Sequence, residues 1–101
     1  MKMNQVELLA KLFRSLANKK RLHIVKALHS QRETIGQVSD FTGLPYKTVE
    51  RHLKILSGSG IVKQHRNGIF TEFHLNSDHE STSDDTNHYN DILIKMVITP
   101  R

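Results

Sequence analysis

The sequence contains no cysteine and no tryptophan, only two prolines and five glycines, and its aromatic fraction is 6%. Without cysteine there can be no disulfide, zinc finger, thiolate metal site or cysteine nucleophile. With 37% hydrophobic residues and so few rings, a modest helical core is within reach while a deep ligand cavity is disfavoured. No apolar run approaches the ~20 residues that a membrane span needs. The stretch from Met1 to Leu12 is broken by Asn4, Gln5, Glu7 and Lys11, so neither an export signal nor membrane embedding is expected, and the cytoplasm is the expected location. A phosphate-cradling glycine loop and a nucleophile elbow are also missing, and the seven histidines and ten acids fall into no pocket-forming motif. The chain therefore reads as a non-enzyme with no cofactor.

What is present is positive charge, unevenly spread. At 101 residues there is room for one core. Residues 1–75 hold 13 Lys/Arg against 5 Asp/Glu, whereas residues 76–101 hold 2 against 5. A basic body followed by an acidic segment points to a polyanionic partner for the body.

Local signals divide the body into helices and a hairpin. Asn4 can cap a first helix with Glu7 completing a capping box, and Val6, Leu9, Leu12, Phe13 and Leu16 recur at helical spacing. Asn18 can cap a second helix whose apolar face is Leu22, Val25 and Leu28, widened by Ile24. Thr34 and Gln37 form another capping box before the short run Ile35, Val38, Phe41. Gly43 then permits a sharp turn, and Pro45 precedes a fourth helix from about Tyr46 to Ser57. In that helix Val49, His52, Leu53 and Leu56 share one face, leaving a polar, mostly basic face outward. Two strands follow, Ile61 to Arg66 and Ile69 to Leu75, joined by Asn67-Gly68, the dipeptide favoured in two-residue type I′ turns. On the second strand Ile69, Thr71, Phe73 and Leu75 alternate with Phe70, Glu72 and His74. Residues 76–86 are polar and lack any apolar side chain, and Tyr89, Ile92, Leu93, Met96 and Val97 mark a last amphipathic helix.

The order helix, helix, helix, sharp turn, helix, hairpin, helix resembles a winged helix-turn-helix. More narrowly, LFRSLANKKRLHIVKAL followed by GLPYKTVERHLKILSGSGIV resembles the ArsR-type metalloregulators and their metal-independent relatives, over roughly residues 9 to 75. Arg21-Leu22-x-Ile24, then Ser39, Gly43 and Val49, then Arg51-His52-Leu53 with Leu56, then Gly60-Ile61-Val62 carry the likeness in order. It implies a mainly α fold with a β-hairpin wing, divided as a DNA-binding domain over 1–75, an acidic linker over 76–86 and a C-terminal dimerisation helix over 87–99. It also implies that helix four enters the major groove and that the wing lies along the backbone or minor groove. Such recognition helices usually carry small hydroxyl or amide residues where this chain has Tyr46, Lys47 and Glu50, so the family's base contacts cannot be copied.

The base readers expected here are the early exposed positions of helix four: Tyr46, Lys47, Glu50 and Arg51. Arg51 can grip guanine O6 and N7 with two N–H groups; Glu50 can only accept, which suits a cytosine amine, or else pairs with Lys47 or Lys54 along the helix. Thr34 and Lys47, with Lys63, His65 and Arg66 on the hairpin, are placed for phosphates, and Thr48, Lys54 and Asn67 complete the expected DNA-binding set. Leu8, Leu9, Leu12 and Phe13 with Tyr89, Ile92, Leu93 and Met96 exceed what one small core needs and suggest a homodimer, or a last helix that simply closes the monomer. Asp78, His79, Glu80, Asp84, Asp85 and His88 offer metal ligands near the last helix, but their spacing matches no metal motif, and a solvated linker is the preferred reading. The function expected is a sequence-specific regulator of double-stranded DNA, most simply a dimeric repressor. The alternatives are a winged helix that binds a protein partner through Tyr46, Ile69 and Phe70, and a nonspecific architectural DNA binder.

Overall fold

The computed structural model describes residues 4–76 and 85–99, with only the backbone described for 85–88. Five helices and one hairpin follow in the order α1 (Gln5–Leu16), α2 (Lys19–His29), α3 (Ile35–Thr42), α4 (Tyr46–Ser59), β1 (Val62–Asn67), β2 (Phe70–Leu75) and α5 (Asp85–Ile98).

The helix starts are where the capping chemistry puts them. Asn4 accepts from the Glu7 amide, Asn18 from the amides of Lys20 and Arg21, and Thr34 and Gln37 close a reciprocal capping box. Gly43, with φ +76°, ends α3 in the left-handed region, and Gly60, with φ +89°, ends α4 in the same way. Helix α4 runs to Ser59, so Gly58 lies inside it. Pro45 occupies the position just before α4, with no side chain capping that end.

One core collects the apolar faces of all these elements: Leu12 and Leu16 of α1, Ile24, Val25 and Leu28 of α2, Val38 of α3, Val49, Leu53 and Leu56 of α4, Ile61, Val62 and Phe73 of the hairpin and Leu93 of α5. Each full burial of such a side chain contributes about 1.5–3 kcal/mol. α4 is therefore held along its whole inner face.

The hairpin differs from expectation at its tip. Val62 pairs with Leu75 and Asn67 with Phe70, so the two loop residues are Gly68 and Ile69 rather than Asn67 and Gly68. Gly68 has φ +65° and Ile69 is not in the left-handed region. A glycine with positive φ in the first loop position alone is the type II′ pattern, not type I′. Ile69 lies in this loop and is 86% exposed, while Phe73 on the strand is buried and Leu75 half-buried. At the other end the Phe73 amide donates to the Glu33 carbonyl at 2.7 Å, tying the wing to the connection before α3.

α5 packs against α1 and α2. It begins at Asp85, two residues before the expected 87, so Asp85 and Thr86 belong to the helix. Asn76, expected in the linker, is half-buried and bonded to the end of α4, its side chain donating to the Gly60 carbonyl at 3.1 Å. The rest of the expected linker, 77–84, lies outside the described residues.

Candidate nucleic-acid interface

Helix α4 is two-sided. Val49, His52, Leu53 and Leu56 are buried, as their spacing predicts, and Tyr46, Lys47, Arg51 and Lys54 are exposed. The Lys47 ammonium is 91% exposed and stands 3.8 Å from the Glu50 carboxylate, one turn on. This is the intrahelical pair that the spacing allowed; exposed pairs of this kind are worth only ~0.3–0.5 kcal/mol, so Glu50 is free to exchange it for another partner. Arg51 and Lys54 form no ion pair among the described residues. Thr48 is half-buried at the edge of the outward face.

The elements around α4 converge. Thr34, Ile35 and Gly36 at the start of α3, Tyr46 and Glu50 on α4, and Ile69 to Thr71 at the wing tip line one groove of about 430 Å³. On the wing Lys63, His65, Arg66 and Asn67 are all exposed. Asn67 is partly committed, because its amide donates to Glu72 at 3.0 Å; that bond is the leading reason the Glu72 carboxyl is held below the usual carboxylate range. Thr34 uses its hydroxyl oxygen as the α3 cap, accepting from Gln37 at 3.2 Å, and retains only its O–H for another acceptor.

The inner side of α4 carries a link that local periodicity does not reveal. Arg21 of α2 donates to His52 Nδ1 at 3.0 Å, to the Ser15 carbonyl at 2.5 Å and to the Arg14 carbonyl at 3.4 Å, bridging residues 31 positions apart. Arginine can only donate, so His52 is neutral with its proton on Nε2. Burial, and then the nearby charges of Arg21, Arg51 and Lys20, hold its pKa below the ordinary value. A base whose folded pKa is lowered contributes stability that is complete above its unfolded pKa, about 6.5, and is lost as pH falls from there toward the folded value. Thermal melts taken from pH 8 down to pH 5 should therefore show wild type losing more stability than His52→Asn; parallel profiles would remove His52 from the account.

Of the residues expected at a dimer contact, Leu12 is 0% and Leu93 5% exposed: both belong to the monomer core and have no surface left to offer. Leu8 and Tyr89 are half-buried against that core, and Leu9 is half-buried. Phe13 on α1 and Ile92 and Met96 on α5 remain exposed at 52%, 48% and 67%, and Val6 joins them at 77%. A helix turns only one face inward, and the expected list combined the two faces of each helix. Asp78, His79, Glu80 and Asp84 lie outside the described residues, as do the side chains of Asp85 and His88.

Three helices around a turn between α3 and α4, followed by a hairpin, define a winged helix-turn-helix domain. Residues 18–64 match the family of bacterial regulatory proteins described as the arsR family. Solved structures agree on the fold. The homodimeric winged helix-turn-helix DNA-binding domain of a possible ArsR-family transcriptional regulator from Mycobacterium bovis superposes with a TM-score of 0.70 at 20% identity, covering 96% of this chain and 85% of that one. HlyU from Vibrio cholerae gives 0.69 at 20% identity, over 93% and 97% of the two chains. The transcriptional repressor BigR from Xylella fastidiosa gives 0.67 at 24% identity, over 91% and 85%. No curated protein matches the sequence.

Proposed function

We propose that the protein is a homodimeric, sequence-specific regulator that binds double-stranded DNA, most simply a repressor acting by occupancy of a two-fold operator, without catalysis and in the cytoplasm. The observation that carries this reading is the division of α4: an inner face fixed in the core and an outer face bearing Lys47, Arg51 and Lys54 in solvent. A rod anchored on one side and cationic on the other fits a major groove about 12 Å wide. Arg51 and Glu50 read base edges, while Lys54 and the wing residues Lys63, His65 and Arg66 take phosphates. The homodimeric Mycobacterium bovis domain and the BigR repressor support the dimer and the repressor role. No helix among the described residues is long and apolar enough to cross a membrane.

Selection of bound DNA from a random pool tests the proposal. A palindrome should emerge with half-sites one helical turn, ~34 Å, apart. Its affinity should fall with salt at a slope near −0.9 in log K per log concentration for each phosphate neutralised. Equal affinity for random duplex at physiological salt would exclude sequence-specific regulation. A second reading, a partner-binding module, is favoured by the exposure of Tyr46, Ile69 and Phe70 around the groove; it requires binding that survives loss of the α4 cations.

A further inference from the structure

At the root of the wing, away from the outer face of α4, Glu33 of the α2–α3 connection meets Glu72 and His74 of β2. One ligand atom from each residue lies within 4.8 Å of the other two. We propose that this trio is a binding site for a divalent cation of the zinc class, which clamps the wing to the segment that starts α3. The inference does not depend on the DNA-binding reading.

The donor set is right for such an ion. Two carboxylates and one imidazole suit zinc and its neighbours better than calcium or magnesium, which prefer oxygen alone. The two carboxylates supply negative charge inside an otherwise basic body, which a dication offsets. The imidazole lies between the two carboxylates, with His74 Nδ1 3.6 Å from Glu33 and His74 Nε2 3.6 Å from Glu72, and one of its two nitrogens is offered to the ion. Ligand atoms around a tetrahedral zinc lie roughly 3.3 Å apart, so side-chain rotations that draw the atoms together by up to about 1.5 Å complete the site, leaving water for the remaining position.

The ligands are also held in advance. The Phe73 amide bonds the Glu33 carbonyl at 2.7 Å, fixing that connection beside β2. The second oxygen of Glu72 is occupied by the Asn67 amide, which turns the first toward His74; such outer partners commonly set metal affinity by 10–100-fold. Lys95, in the groove that adjoins Glu33 and His74, has its ammonium paired with Asp91 at 3.3 Å, while Lys63 and His65 stand across the strand pair from His74 and Glu72. All three ligand residues are half-buried.

Titration of the full chain with Co²⁺, followed by visible absorption and then by Zn²⁺ displacement, tests the site. One saturating Co²⁺ per chain is expected. His74→Ala should abolish it, Glu33→Gln and Glu72→Gln, which preserve side-chain shape, should each weaken it at least tenfold, and Asn67→Ala should weaken it about tenfold. The pair His79→Ala with His88→Ala should leave it unchanged. Circular dichroism of each variant establishes that it is folded. Saturation that survives His74→Ala in a folded chain, saturation lost with His79 and His88, or no saturable binding by the wild type would each overturn the site and leave the trio as a cluster of ionisable side chains.

Discussion

Arg51→Ala together with Lys54→Ala is expected to destroy recognition of a selected operator while leaving the fold intact. Both side chains project from the exposed face of α4 and form no ion pair among the described residues, so their removal should change stability by no more than about 0.5 kcal/mol. A bidentate arginine contact to guanine is worth about 1–3 kcal/mol, and the loss of a phosphate-bound lysine should lower the salt slope by about 1. Fluorescence anisotropy should then show roughly a tenfold to hundredfold loss on the operator from Arg51 alone. The loss on random duplex should be much smaller. Unchanged operator affinity in the double variant would mean that α4 is not the reading element, and Tyr46, Ile69 and Phe70 would have to be examined as a protein-binding surface.

The second large effect concerns assembly. Phe13→Glu and Met96→Glu place a carboxylate on each of the two helices whose exposed apolar residues, Phe13, Ile92 and Met96, are not consumed by the core. An unpaired charge forced into an apolar contact costs several kcal/mol, enough to separate a dimer of ordinary affinity. Analytical ultracentrifugation should find the wild type as a dimer and the double variant as a folded monomer. On DNA, the variant's affinity for a full palindrome should fall to that for a half-site. A variant that remains dimeric would move the interface off these faces.

These two predictions draw on unequal amounts of local information. Asn4, Asn18 and the Thr34 and Gln37 pair announce their helix starts because capping is settled within three or four residues. The inner face of α4 is equally plain, since a 3.6-residue period marks it without reference to the rest of the chain. Leu12 and Leu93 could not be assigned in this way: a greasy residue on α1 or α5 meets its own core or another copy according to how those helices are rotated, and only tertiary packing fixes rotation. The wing tip was misjudged by a single residue, because Asn-Gly satisfies a type I′ turn and Gly-Ile a type II′ turn, and strand register chooses between them. The Arg21 to His52 bridge and the trio of Glu33, Glu72 and His74 join residues remote in sequence. No spacing rule reaches that far.

Asn90, the one buried side-chain amide of α5 among the described residues, has a consequence for how the molecule works as a whole. It is 0% exposed and donates to the Gly60 carbonyl at 2.7 Å and to the Asn76 carbonyl at 3.3 Å. The last helix is thereby yoked to the residue where α4 terminates and to the point where the chain leaves the hairpin. Loss of that one amide should therefore loosen α5, the end of α4 and the exit of the hairpin together.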